Sequence, residues 1–252
     1  MLYEKPAGHP DKLSTDRGRW PRAYPNTQKK FSQSKIYLAG FSWGSVVGLQ
    51  LAQQYPEDYE AYVGIAQVIN LKKGMKIGQL WLAQQAHAHQ DSLSLATLKR
   101  IRSNDSTFCK PGLDCFMKQQ EILSQYRGAV YNEASEKEVE KALAAAQDYQ
   151  TYDWESAFVF SAQRLEKDMF ATDFSNLKQL DLPVYLLLGR HDWNVPSVLA
   201  EDWLKRLQAP HKEVIWFDNS AHNLLEEEPK KFNKVMLEDV LHSARDTSNL
   251  QS

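Results

Sequence analysis

Ile36-Tyr37-Leu38-Ala39-Gly40-Phe41-Ser42-Trp43-Gly44-Ser45 is a short apolar strand that runs into G-x-S-x-G, with an apolar helical stretch from Val46 to Tyr55 behind it. The order of strand, tight turn and helix matters more than the five-residue pattern, which is common by chance. A sharp strand-to-helix turn needs small residues on both sides of the serine. Gly40 and Gly44 let the backbone crowd together and leave the Ser42 hydroxyl projecting above the strand end. Ser42 is thus a candidate nucleophile, its alternative being a plain turn residue. The rest of the chain must decide between them.

Working outward, the helix stops near Tyr55-Pro56, because proline restricts the residue before it. Tyr59 to Asn70 is β-branched and aromatic enough to suggest a buried parallel strand. From about 71 to 178 the chain becomes rich in Gln, Lys, Glu and Ala at helical spacing, with Ile77, Leu80, Trp81 and Ala88 on one face. Ser135-Glu136-Lys137-Glu138 has the form of a capping box and predicts a helix start there. Strand signals return at Pro183–Gly189 and at Glu213–Phe217, separated by a helix over Val198–Leu207. A closing helix is expected from Pro229 to about Ala244. Strands alternating with helices imply an α/β fold whose mostly parallel sheet has helices on both faces. The expected organisation is a core of residues 1–70 and 179–252, with 1–34 irregular, and a helical lid over 71–178. Residues 1–34 carry Pro6, Pro10, Pro21 and Pro25 and no alternation that would make a strand.

Catalytic groups of such sheets gather at the carboxyl ends of the strands. Asp192 lies just past the strand ending at Leu188, in Gly189-Arg190-His191-Asp192. His222 lies just past the strand ending at Phe217, in Asn219-Ser220-Ala221-His222. The chain order of serine, acid and histidine, each at a strand end, points to nucleophilic catalysis. A serine hydroxyl is a weak nucleophile until a base takes its proton. His222 would be that base, and Asp192 would orient its imidazole. The Trp43 amide, next to the serine, would be an oxyanion donor. Alternatives stand beside each assignment. Asp192 could be the N-cap of the helix after Val195-Pro196, Asp218 is the competing acid, and His222 could be an ordinary loop histidine. His191, at the acid turn, is badly placed to reach a serine.

Gly40-Phe41-Ser42-Trp43-Gly44-Ser45, Gly189-Arg190-His191-Asp192 and Ser220-Ala221-His222 together resemble the α/β-hydrolases related to prolyl iminopeptidase. Gln54-Tyr55-Pro56-Glu57 and Glu227-Glu228-Pro229 fit the same pattern. The resemblance covers residues 35–70 and 180–235 and implies a capped serine hydrolase of amide or ester bonds, working without a cofactor. Through it, Trp154 and Glu155 correspond to a cap pair that holds a substrate amine; a helix-surface glutamate is the alternative. Gln67 and Trp81 are further candidates for the pocket lining, with core packing the alternative for each. The chain departs from the family in having no Gly-Gly pair and no His-Gly dipeptide. The second oxyanion donor of those enzymes comes from a His-Gly-Gly-Pro-Gly loop. An N-terminally shortened version of the fold is therefore expected, with the edge of the elbow strand covered by residues 1–34 or by a second copy of the chain in a homo-oligomer. Two functions follow: a serine hydrolase acting on a small-molecule or short-peptide substrate, or an inactive hydrolase-fold binding module.

Composition excludes other classes. A chain of 252 residues can bury a sizeable core. A net charge of 30 − 32 = −2 gives no electrostatic reason to expect nucleic acid or an anionic membrane. No apolar run approaches the roughly 18 residues of a membrane span. Cys109 and Cys115 are expected to be free thiols in a reducing cytoplasm, with a local disulfide as the alternative. No metal site is expected, since His87 and His89, two apart, diverge on a helix.

Overall fold

The computed structural model describes residues 35–241; the expectations for residues 1–34 and for the end of the closing helix lie outside that range. Strands β1 (Ile36–Phe41), β2 (Tyr59–Ile65), β3 (Val184–Gly189) and β4 (Lys212–Phe217) form a parallel sheet in the order β1-β2-β3-β4. Ile65 pairs with Leu187 and Gly189 with Phe217, which brings the carboxyl ends of β2, β3 and β4 level. Among the described residues, β1 is an edge strand.

Every residue of β3, Val-Tyr-Leu-Leu-Leu-Gly, is buried, because both faces of a parallel sheet are covered. Alternate residues serve opposite layers. Tyr62, Leu186 and Leu188 pack with Leu49 of helix α1 (Trp43–Gln54) and with Trp203 and Leu204 of a later helix, Ser197–Arg206. Ala61, Val63, Ile65, Tyr185 and Leu187 face the other way, onto Phe217, Leu224, Val235 and Val240 near the C-terminus. A Cβ on Gly40 would stand 2.5 Å from the Gly44 carbonyl oxygen, so this glycine is what lets α1 double back on β1.

Between β2 and β3 run six helices: α2 (Leu71–Ala88), α3 (Ser92–Arg102), α4 (Leu113–Gln125), α5 (Glu133–Ala145), α6 (Gln147–Thr151) and α7 (Trp154–Ala171). The helix Ser197–Arg206 is α8, and the chain continues through α9 (Leu224–Glu227) and α10 (Pro229–Lys234) into a π-helical turn, Val235–Val240. Two expected boundaries move. β2 stops at Ile65 because Ala66 adopts φ 46° and Asn70 caps α2 by accepting from the Lys73 amide. Helix α5 begins at Glu133, since Asn132 rather than Ser135 is its N-cap and accepts from the Ala134 and Ser135 amides.

The expectation of free thiols is overturned. Cys109 and Cys115 form a disulfide across the turn between α3 and α4, their Cα atoms 5.1 Å apart and both side chains buried with Ile101. The cytoplasmic expectation loses that support, because disulfides persist chiefly in oxidising compartments. Among the described residues, no helix is long and apolar enough to cross a membrane.

Candidate active site

Ser42 sits at the β1–α1 junction with φ 50° and ψ −121°, a conformation that L residues rarely adopt. Its amide donates to the Ile65 carbonyl, which ties the turn to the end of β2. Beneath it, Ser45 is fully buried: its hydroxyl donates to the Ser42 carbonyl and accepts from the Val68 amide. Gln67 lies in the same layer. Its side-chain amide accepts from the Tyr62 hydroxyl at 2.6 Å and donates to the Val68 carbonyl at 2.9 Å. Burial pushes the Tyr62 phenol far above its ordinary pKa, with the Gln67 hydrogen bond opposing that rise. Gln67 is 1% exposed, and these bonds make it a buried support of the elbow, the packing role that was the alternative to lining a pocket.

The acid and histidine loops meet at the ends of β3 and β4. A Cβ on Gly189 would stand 1.9 Å from the Ala221 carbonyl oxygen, so only glycine permits this approach. The Arg190 amide donates to the Phe217 carbonyl and the His191 amide to that of Ser220. Asp192, 3% exposed, uses both carboxylate oxygens. Oδ1 accepts from the Val195 amide at 2.8 Å, and Oδ2 is 2.9 Å from His222 Nδ1. The Val195 bond closes the turn ahead of α8, whose N-cap is Pro196 and not Asp192, and it leaves the other carboxylate oxygen to the histidine.

His222 Nε2 lies 2.9 Å from Ser42 Oγ, closing a run of hydrogen bonds from serine to histidine to aspartate. His222 is 7% exposed, and its ring lies 5.1 Å from that of Phe41. Asp218 is drawn elsewhere, into an exposed ion pair with Arg190 at 2.9 Å. His191 packs its ring on Tyr131 at 3.7 Å and contacts the Asp218 carbonyl. Trp43 is the first residue of α1, and the amides of a first helical turn have no partner within their own helix. Trp81 stacks on Trp193 at 5.0 Å, joining α2 to the acid loop. The side chains of Trp154 and Glu155 lie outside the described part of the structure.

Sequence reasoning missed Glu227. Its carboxyl group, 6% exposed, accepts from the amides of Tyr131, Asn132 and Ala221. The sequence shows it as an acid five residues after the histidine, within the Glu227-Glu228-Pro229 run that fits the family pattern, and assigns it no role. A cavity of about 660 Å³ opens among α2, α3 and the α3–α4 turn, lined by Lys72, Lys76, Ile101, Arg102 and Phe170, and Ser42, Asp192 and His222 are not part of its wall.

A parallel sheet with helices on both faces, a serine on a strand-to-helix elbow, and an acid and a histidine at the next strand ends define an α/β-hydrolase. The chain belongs to the family described as serine aminopeptidase, S33, which it matches over residues 23–229. It is 26% identical over 216 residues to the probable aminopeptidase YbaC of Bacillus subtilis (strain 168), covering 84% of this chain and 67% of that one. The fold is similar to that of proline iminopeptidase from Mycobacterium smegmatis, with TM-score 0.53 and 14% identity over 88% of this chain and 70% of that one. It is also similar to that of a proline iminopeptidase-related protein from Thermus thermophilus, with TM-score 0.51 and 15% identity over 83% and 65% of the two chains.

Proposed function

We propose that this protein is a serine hydrolase that cleaves a small peptide, amide or ester through an acyl-enzyme on Ser42. The observation that carries the reading is the pair of 2.9 Å contacts joining Ser42 Oγ to His222 Nε2 and His222 Nδ1 to Asp192. In this reading the Ser42 hydroxyl gives its proton to Nε2 as its oxygen bonds to the substrate carbonyl carbon. The carbonyl electron pair moves onto oxygen, where the Trp43 amide at the start of α1 donates to it. Collapse of that intermediate expels the amine or alcohol, which takes the proton back from Nε2. Water then repeats the sequence on the ester and frees Ser42. Asp192 accepts from Nδ1–H throughout, holding the tautomer and balancing the imidazolium charge. The Val195 amide on its other oxygen keeps the carboxylate from turning away.

Substrates bearing a free amino terminus are the first to try, given that the curated relative is named a probable aminopeptidase. A fluorophosphonate probe tests the chemistry without a known substrate. Labelling of the wild type that is lost in Ser42→Ala is the expected result. A folded wild-type protein that stays unlabelled ends the hydrolase reading and leaves that of a binding module.

A further inference from the structure

The segment Gly128–Asn132, which leads from α4 into α5, is sewn to both loops of the site. The Gly128 carbonyl accepts from the Trp193 amide at 2.9 Å, and the Ala129 carbonyl from the amide of His222 itself at 3.0 Å. The Tyr131 ring lies flat on His191, one residue from Asp192. At the far end stands Glu227. One of its oxygens accepts from the Tyr131 and Asn132 amides, both at 2.7 Å, and the other from the Ala221 amide at 2.9 Å.

The local sequence explains why a carboxylate is needed there. In a complete capping box, the third helical residue is Glu or Gln and reaches back to the amide of the N-cap. Helix α5 has Asn132 as N-cap, but its third residue is Ser135, whose hydroxyl is too short to return that bond. Glu227, 95 residues further along the chain, supplies the missing acceptor. The cap of α5 is thus completed by the same side chain that fixes the residue before His222.

We propose that Glu227 is a positioning residue that ties the helical segment to the histidine loop, so that His222 holds its reach to Ser42 only while residues 128–132 are docked. The proposal rests on His222 being the base. Glu227 acts through the backbone at Ala221 and Ala129 and touches no reacting atom.

Glu227→Gln tests it, since an amide puts a donor where one end of the clamp needs an acceptor. Two readouts are combined on the full chain. Hydrogen exchange at the Tyr131, Asn132 and Ala221 amides is expected to quicken together, by about tenfold or more. With the fluorophosphonate, the maximal labelling rate falls on the order of 100-fold, as expected for a misplaced base, while the concentration for half-maximal rate is unchanged. Faster exchange at Ala221 alone, or a labelling loss that lies wholly in probe binding, overturns the proposal. Should the variant fail to fold, wild-type exchange decides: the three amides donate to the two oxygens of one carboxylate and should show a common protection, and unlike protections overturn it. A wild type that exchanges as expected but is never labelled refutes the hydrolase reading and leaves the clamp standing.

Discussion

Leu186, Leu187 and Leu188 are fully buried, and each successive side chain enters a different layer of the molecule. Helix α5, by contrast, buries no residue at all, and Phe158, Val159 and Phe160 of α7 are exposed. The helices between β2 and β3 share two small apolar clusters, around Leu82, Leu98 and Leu123 and around Ile101 and the disulfide. They are also joined by the edge-on rings of Phe116 and Phe170 and by polar links such as Gln79 to Gln119 and Asp91 to Tyr126. Burial of about 25 cal/mol per Å² makes the sheet a cooperative unit. A segment fastened by caps and single bonds opens at lower cost. The contrast suits the proposed chemistry, in which Ser42, Asp192 and His222 need a rigid base.

The contrast can be broken by experiment, beginning where the effect is greatest. Asp192→Asn keeps an oxygen for the Val195 amide but loses the carboxylate that accepts from His222, so fluorophosphonate labelling should slow by about 10⁴-fold with the fold intact. A labelling rate within about tenfold of wild type would sink the assigned role. Gly40→Ala forces a methyl group into the Gly44 carbonyl and should cost the sheet core about 2–3 kcal/mol in denaturant melts. Gly44→Ala, at the other glycine of the elbow, meets nothing within 4 Å and should leave the midpoint unchanged.

Effects in the helical segment should be smaller and local. Replacing Cys109 and Cys115 with alanine releases a short loop, worth about 2 kcal/mol in the chain-entropy account. Exchange should quicken over α3 and α4 and not in β3; quickening in β3 would show that the two regions unfold as one. Asp91 gives the mildest test. Hydrogen bonds from Ser94, its hydroxyl first and its amide next, and from Tyr126 hold this carboxyl well below the usual aspartate range. A depressed folded pKa means that its stabilisation is complete above the unfolded value near ~3.9 and fades as pH falls through the folded value. Asp91→Ala should therefore weaken the α3–α4 region at pH 7, and the gap from wild type should narrow on acidification below about pH 4. A gap that widens there would contradict the assignment.

What the sequence reveals divides along the same line. Apolar runs buried on both faces read clearly as strands, and the elbow, Asp192 and His222 follow from them because each sits at a strand end. The features that escape a reading of the sequence depend on partners that local pattern does not announce. Glu227 serves amides 95 and 96 residues before it, and no periodicity signals such a pairing. The bond between Gln67 and Tyr62, five residues back, goes unread because the two come into reach only once β2 has turned at Ala66. Ser135 resembles a cap by its spacing to Glu138, whereas Asn132 takes the position because Glu227 satisfies its amide. The disulfide is the less favoured reading of the sequence, since two cysteines do not reveal whether their chain segments will approach.

The backbone at Ser42 has a consequence for how this protein could drift over generations. With φ 50° and ψ −121°, the serine occupies a region that suits glycine, and side-chain-bearing residues held in such regions are typically destabilised by about 1–3 kcal/mol. Selection for stability alone would therefore press this codon toward glycine, removing the hydroxyl while leaving Gly40, Gly44 and the elbow in place. In the proposed chemistry, foldability and reactivity pull in opposite directions at this position.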